Sequence, residues 1–248
     1  MIWRTLLFAA ALGALVLWRM PATVLDRAVA GVSDGRLRLL DAHGTVWAGS
    51  GTFASLSGDG RAAQPWLQGR WHTEFGALAT GRLGWRLDER GKTVLQLRLM
   101  PSGVEIVRAD LDAPLRALLD SIPHPLARAG WRGAARLETP GIRCEWRGAC
   151  NGPARLQWSD AGVDLVPGRR FGDYELNATA RGNSGSLDLR TLSGELRIDG
   201  QGGWNERGRI FFDARVEGPA EIVGRLPNVM DGIAHPTDLP TVAEIRLR

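Results

Sequence analysis

The chain has 248 residues, a formal net charge of +4 and a hydrophobic fraction of 44%. That fraction supplies a real core and excludes a disordered chain as the default. The sequence pI is about 9.9, but acidic and basic residues are interleaved, without the Lys/Arg blocks that nucleic-acid-binding patches use. We therefore expect no nucleic-acid partner.

Residues 1–20 contain an apolar segment, Thr5 to Trp18, that lies between Arg4 and Arg19. A helix needs about 20 residues to span a membrane, and snorkelling of the two arginines brings this segment close to that length. We predict a single transmembrane anchor over residues 1–20, with a cleaved signal peptide as the alternative. Both alternatives export the rest of the chain.

Pro21 ends the apolar segment, and residues 21–35 indicate a short helix or linker that Thr23 caps. From residue 36 onward, the hydrophobic period changes from about 3.6 to 2. Apolar residues alternate with polar ones in several short runs: Leu67 to Phe75, Leu83 to Leu87, Leu95 to Leu99, Leu156 to Trp158, Leu187 to Leu189 and Leu196 to Ile198. Such strands belong to an antiparallel sheet with one covered face and one wet face.

Turn signals separate these strands at short spacing: Ser57 to Gly60, Asp88 to Gly91, Gly182 to Gly185 and Asn205 to Gly208. They favour hairpins over helical crossovers. We therefore predict a mainly β chain, with a curved antiparallel sheet and few short helices over residues 36–248.

Two segments interrupt the strand pattern. Pro114 to Ile122 has the spacing of a short amphipathic helix, and Pro219 to Met230 has a weaker version of it. Thr241 to Arg248 alternates again and indicates a closing strand. Since each helical segment follows a run of strands, a division into two β-rich halves near residue 125 is one option.

Cys144 and Cys150 are the only cysteines, with five residues between them. In an oxidising compartment such a pair closes a small disulfide loop, whereas in a reducing one it remains two thiols. Because the predicted N-terminal segment exports the chain, we predict the disulfide.

The sequence contains no P-loop and no H-E-x-x-H motif. Asp110 and Asp112 point to the same side of a strand, but we expect both to be solvated, since no third ligand is spaced to help them hold a metal. The four histidines are isolated in sequence. We therefore predict a protein that is not an enzyme, with no catalytic residue, no cofactor and no metal.

The alternation places Trp71, Trp85 and Leu97 on the apolar face and Arg82 and Arg86 on the opposite one. A platform that stacks single-stranded nucleic acid needs aromatic rings and charge on one surface, so this arrangement disfavours it. The apolar face must instead be covered by the chain's own elements, a partner protein or lipid. Trp71, Trp85 and Leu97 are our candidate residues for an apolar binding face.

Several short motifs, taken in order, resemble those of one family. They are Pro21-Ala22 after the anchor, Leu40 to Gly49 with its G-T-V-W-x-G ending, the cysteine pair within Ile142 to Asn151, Ala154 to Trp158, Leu192 to Leu196, and Gly200 to Trp204. In this order the chain resembles the type II secretion system protein N family over essentially its whole length.

The resemblance implies a single-pass subunit of a Gram-negative inner membrane, with the bulk of the chain in the periplasm. It also implies a disulfide between the paired cysteines, and other type II secretion system subunits as partners. We expect an accessory scaffold or interaction subunit that binds through its sheet edges or its apolar face. The alternative is a membrane-anchored periplasmic module that binds or bridges lipids.

Overall fold

The computed structural model describes residues 2–56, 62–119, 130–164, 168–226 and 233–248. The helices are α1 (Ile2–Trp18), α2 (Thr23–Val32), α3 (Leu115–Leu119) and α4 (Ala220–Val223), and a 3₁₀ helix spans Phe75–Thr80. The strands are β1 (Leu37–Gly44), β2 (Ala48–Leu56), β3 (Ala63–Glu74), β4 (Leu83–Glu89), β5 (Lys92–Met100), β6 (Gly103–Pro114), β7 (Trp131–Thr139), β8 (Ile142–Glu145), β9 (Cys150–Val163), β10 (Gly172–Gly182), β11 (Ser184–Gly194), β12 (Arg197–Trp204), β13 (Ile210–Glu217), β14 (Ala234–Pro236) and β15 (Val242–Leu247).

These strands form one antiparallel sheet of 15 strands, in which chain neighbours mostly lie side by side. Two departures occur: β8 pairs with β6 and β9, and β15 lies between β13 and β14. The predicted mainly β fold and antiparallel sheet are thus confirmed. The expected turns at Asp88 to Gly91, Gly182 to Gly185 and Asn205 to Gly208 join β4 to β5, β10 to β11 and β12 to β13. The expected turn at Ser57 to Gly60 lies outside the described residues.

The strand register aligns residues into continuous rows across the sheet. One row is almost wholly apolar: Leu111, Leu137, Leu156, Leu176, Leu189, Gly200, Ala214, Ile245 and Ala234. The next row is polar throughout: Asp110, Glu138, Arg155, Asn177, Asp188, Gln201, Asp213 and Arg246. Because paired residues of an antiparallel ladder share a face and neighbours in a strand do not, the sheet has one apolar and one charged face.

Gly200 shows why the apolar row includes a glycine. A Cβ atom at this position would lie 2.5 Å from the Cβ of Ala214 and 2.9 Å from the ring of Phe212. The missing side chain therefore lets the Phe212 ring lie close to the sheet.

The helices cover parts of the apolar face. Near α2, a buried cluster contains Ala22, Leu39, Leu67, Trp71, Leu87 and Val94. Near α4, a larger cluster contains Ala161, Val163, Phe171, Tyr174, Leu196, Ala214, Val216, Ile222, Val223, Leu226, Ala234, Ala243 and Ile245. The first cluster thus combines strand side chains with Ala22, the N-cap of α2, and the second combines them with Ile222 and Val223 of α4.

The helix α2 also covers the outer edge of β1. The amide of Leu39 donates to Asp26 Oδ1 over 2.9 Å, and the amide of Leu37 donates to Ser33 Oγ over 3.0 Å. The guanidinium of Arg38 pairs with the same Asp26 carboxylate at 2.6 Å. Backbone donors that an edge strand leaves unpaired are therefore satisfied by Asp26 of α2 and by Ser33, the C-cap residue of that helix.

Several sequence expectations about the helices and the domain division differ from the structure or lie outside its described residues. Across the part of the chain that the structure describes, no helix is both long and apolar enough to cross a membrane, so the predicted anchor over residues 1–20 is not supported by the structure. Thr23 is the first residue of α2 rather than its cap, which is Ala22. The helix predicted from Pro114 is described only as α3, and the division near residue 125 lies outside the described residues.

Candidate functional site

Ion pairs link the strands along the charged face of the sheet. Glu105 pairs with Arg143 at 2.8 Å and lies 3.6 Å from Arg98. Farther along, Glu175 lies 2.7 Å from Arg190 and 3.7 Å from Arg155. Each carboxylate is less exposed than the arginines around it. Cross-strand pairs of opposite charge of this kind stabilise the solvent-facing side of the sheet and leave it without a large net charge.

Asp110 corrects one of our sequence expectations. Its side chain is 8% exposed and lies between Lys92 at 2.5 Å and Arg136 at 2.7 Å, whereas Asp112 is 72% exposed. The hydrogen bond from Lys92 holds the pKa of Asp110 below its usual value, and the charge of Arg136 acts in the same direction. The two aspartates share a face as predicted, but only Asp112 is solvated.

Trp71, Trp85 and Leu97 lie on one face of the sheet, as the alternation predicts. Trp71 is 7% exposed and belongs to the buried cluster that Ala22 joins. Its indole Nε1 donates to Thr45 O over 3.0 Å. Trp85 and Leu97 are half-buried. Around Trp71, therefore, the chain itself covers the predicted binding face, and the role of these three residues in binding stays a prediction.

The ring of Trp85 is covered by a residue of the β1–β2 turn. Trp47 stacks on Trp85 with ring centroids 6.5 Å apart and planes 11° apart. The indole Nε1 of Trp85 donates to Val46 O over 3.3 Å. The polar tip of this half-buried tryptophan is therefore satisfied by backbone.

An open groove lies farther along the same sheet face. It has a volume of about 350 Å³, and apolar side chains line it: Trp131, Trp158, Phe171, Tyr174, Leu176, Leu187, Leu189, Leu196, Ile198, Ile210, Phe212, Val216, Leu226, Ile233, Ile245 and Leu247. Tyr174 brings a hydroxyl, but this group donates to Leu196 O over 2.7 Å. Burial raises the pKa of Tyr174, so the phenol stays neutral. A wholly apolar wall suits a hydrocarbon chain or an apolar side chain.

Sequence reasoning missed the location of this groove. The alternation of Leu187 with Asp188 and of Leu196 with Arg197 signalled an apolar face, and both leucines line the groove. The extent of the groove depends on which part of that face α4 covers. A four-residue helix carries too weak a pattern to predict its packing.

The cysteine pair forms the predicted disulfide. Cys144 and Cys150 face each other in the register of β8 and β9, with Cα atoms 4.0 Å apart. The hairpin that they close contains Trp146, whose Nε1 donates to Pro101 O over 2.9 Å. The disulfide thus closes a short hairpin, and the hydrogen bond of Trp146 holds this hairpin against the β5–β6 turn.

Gly31 to Gly35 has the G-x-S-x-G spacing of a hydrolase nucleophile. That motif requires a strand, a sharp turn and then a helix, whereas here α2 precedes Ser33 and β1 follows it. The hydroxyl of Ser33 donates to Val29 O over 2.7 Å and accepts from the Leu37 amide. Its hydrogen bonds are those of a residue that ends a helix. In the described ranges, no group of three His, Cys, Asp or Glu side chains is placed to hold a metal.

The geometry defines a class of protein: a single long antiparallel sheet that presents an apolar groove on one face and paired charges on the other. The family model described as type II secretion system (T2SS), protein N, matches residues 35–235. The chain therefore belongs to this family, which confirms the resemblance seen in the sequence. No curated protein and no solved structure matches the chain. Family membership implies an accessory component of type II secretion that interacts with other components of that system.

Proposed function

We propose that this chain is a scaffold subunit of the type II secretion system. In this proposal, α1 holds it at the inner membrane and its periplasmic sheet presents an apolar face to other subunits. The protein acts by binding and not by catalysis. The observation that carries the proposal is the apolar groove, because a concave, apolar-lined surface is the usual form of a binding site. Family membership indicates that the partner is another component of the type II secretion system.

A partner could bind either the edges of the sheet or its apolar face. The amides of Leu37 and Leu39 on the outer edge of β1 already donate to the side chains of Ser33, the C-cap of α2, and of Asp26 within α2. At the other end, β14 is three residues long and ends with Pro236, which has no N–H to offer a partner strand. These contacts favour the apolar face.

The membrane part of the proposal is supported by the side chains of α1. Large apolar residues along the helix are exposed in the isolated chain: Trp3, Leu6, Leu7, Phe8, Leu12, Leu15, Val16, Leu17 and Trp18. A 17-residue helix is roughly 25 Å long, and a bilayer that thins locally accommodates a mismatch of about 5 Å. Arg4 and Arg19 flank the apolar residues and can reach the headgroups.

Membrane fractionation tests this part of the proposal. Leu12→Arg places a charge in the middle of α1 and is expected to shift the chain from the membrane to the soluble fraction. Leu239→Arg, at an exposed leucine far from α1 in sequence, is the matched control and should leave the chain in the membrane. A wild-type chain that is soluble in its own host would overturn the anchor.

Photo-crosslinking in the native host tests the scaffold role. A diazirine amino acid at Leu187 lies in the groove, and the same probe at Asp188 lies on the opposite face of the same strand. We expect adducts with other secretion subunits at position 187 and markedly fewer at position 188. Equal protein adducts at the two positions would contradict recognition by the apolar face.

The groove also favours a second candidate function, a module that binds or bridges lipids. Its lining is wholly apolar in the described chain, which suits an acyl chain better than a polar peptide. In the same crosslinking experiment, adducts at Leu187 made of lipid alone would replace the scaffold role with this one.

A further inference from the structure

A cluster of aromatic rings joins the end of α1 to the sheet. Trp18 stacks on Phe75, the first residue of the 3₁₀ helix, with centroids 5.8 Å apart and planes 27° apart. Trp47 lies 5.9 Å from the same Phe75 ring, and its indole Nε1 donates to Leu17 O over 2.9 Å. The same carbonyl also accepts from the Met20 amide over 3.3 Å, so the Trp47 indole is its second donor. The last turn of α1 is thus held against one end of the sheet.

Although these rings pack together, the cluster presents a large apolar surface to solvent. Trp18 is 61% exposed, Phe75 is 40% exposed, and Leu78 in the same 3₁₀ helix is 51% exposed. Residues 75–81 carry no charged side chain, and Arg19 and Arg82 flank the two segments. Tryptophan beside arginine is typical of the boundary between hydrocarbon and headgroups, where the ring is amphipathic and the guanidinium meets phosphate.

The acidic residue next to this surface is already neutralised within the chain. Glu74 precedes Phe75, and its carboxylate lies 2.5 Å from the guanidinium of Arg86. It also accepts a hydrogen bond from Gln96 over 3.0 Å. Within the two segments that carry the exposed rings, the flanking charges are those of Arg19 and Arg82, which favours an anionic partner.

We propose that Trp18, Phe75 and Leu78 form a membrane-contact patch that inserts into the headgroup region of an anionic phospholipid bilayer beside α1. This inference rests on the proposed membrane attachment of α1, with which the patch is continuous. It adds that the sheet itself touches the membrane at the end of β3 and the start of β4. The sheet then has a fixed orientation relative to the bilayer and does not swing freely on a linker.

The full-length chain in vesicles of phosphatidylethanolamine and phosphatidylglycerol tests this inference. A diazirine analogue replaces one leucine at a time: Leu78 in the patch, Leu12 in α1 as a positive control, or Leu239. Leu239 is 57% exposed and precedes β15, at the opposite ends of the strands, so it is the matched negative control. Mass spectrometry then counts lipid adducts at each position.

We expect lipid adducts at Leu78 that exceed those at Leu239 severalfold and approach those at Leu12. Adducts at Leu12 but only background at Leu78 would overturn the membrane-contact patch and leave the anchor intact. Equal adducts at Leu78 and Leu239 would also overturn it, since contact would then not depend on the patch. An absence of lipid at all three positions would overturn the anchor together with the patch.

Discussion

The carboxylate of Asp110 lies 2.7 Å from the guanidinium of Arg136 on the neighbouring strand and 2.5 Å from the ammonium of Lys92, the only lysine of the chain. The strands on either side of β6, β5 and β7, thus each contribute one cationic side chain to the buried carboxylate of Asp110. Asp112, two residues along β6, lies 4.0 Å from Arg136 and is mostly exposed. The pair of aspartates therefore offers a matched comparison between a buried and an exposed charge on one face.

Asp110→Asn is expected to lower the free energy of unfolding by about 2 kcal/mol, because it removes the anion that both cations share. Asp112→Asn should change it by roughly 0.5 kcal/mol or less, as for other exposed ion pairs. Urea unfolding followed by tryptophan fluorescence measures both. Equal midpoints for the two variants would show that Asp110 contributes no more than an exposed acid.

The lowered pKa of Asp173 leads to a prediction of how the free energy of unfolding depends on pH. The hydroxyl of Ser193, the amide of Asp160 and the guanidinium of Arg170 bind its carboxylate and lower its pKa to about 2, from 3.8. A group whose pKa is lower in the folded state stabilises the fold above its unfolded pKa and loses that contribution as pH falls through the folded value. We therefore expect a contribution on the order of 1–2 kcal/mol that disappears between about pH 4 and pH 2.

The measurement is the urea midpoint as a function of pH, compared between the wild type and Asp173→Asn. The variant should be less stable at neutral pH and should lose less stability on acidification. Parallel curves for the two proteins would contradict the assignment of this pH range to Asp173. The lowered pKa values of Asp26, Glu105, Asp110 and Glu175 act in the same direction, so some acid sensitivity should remain in the variant.

Trp85 and Arg86 are consecutive residues on opposite faces of β4. Trp85→Asp is expected to cost about 3 kcal/mol, because it removes the ring that stacks on Trp47 and places a charge against the apolar face. Arg86→Asp loses the ion pair with Glu74 on a face open to water and should cost roughly 1 kcal/mol. Thermal unfolding of both variants provides the measurement. Equal melting temperatures would contradict the strand assignment.

The disulfide leads to predictions about the free energy of unfolding and about the compartment in which the chain resides. Its loop is short, with a sequence separation of 6, so Cys144→Ser is expected to lower the free energy of unfolding by about 2 kcal/mol. In chain isolated from its native host under conditions that trap thiols, Cys144 and Cys150 should resist alkylation until a reductant is added. Labelling without reductant would place the chain in a reducing compartment and contradict the proposed periplasmic location.

Much of the fold follows from the two-residue alternation in the sequence. The leucines at positions 156, 187 and 189 and the polar residues between them indicate strands, and the register places each set on its own face. The hairpin turns follow from local chemistry as well. These features can be predicted because strand periodicity and turn preferences depend on residues close together in the chain.

The parts that could not be predicted depend on residues far apart in the chain. Asp110 is buried because Lys92 and Arg136 come from two other strands, which the sequence of β6 alone cannot indicate. Trp47 covers Trp85 because the β1–β2 turn lies over β4, although β3 separates β2 from β4 in the sheet. The groove likewise depends on how much of the apolar face α4 leaves uncovered. In each case tertiary packing decides the environment of the residue.

The contacts of Asp26 and Ser33 with β1 determine what must move before another strand can pair with the β1 edge. Any strand that joined the β1 edge would have to break the hydrogen bonds from the Leu37 amide to Ser33 and from the Leu39 amide to Asp26, and so would have to move α2 and its C-cap away. Because only residues 19–22 separate α2 from α1, such a displacement would pull on α1 as well. Assembly at the β1 edge would therefore be coupled mechanically to the N-terminal helix, whereas assembly on the apolar face would leave that helix undisturbed.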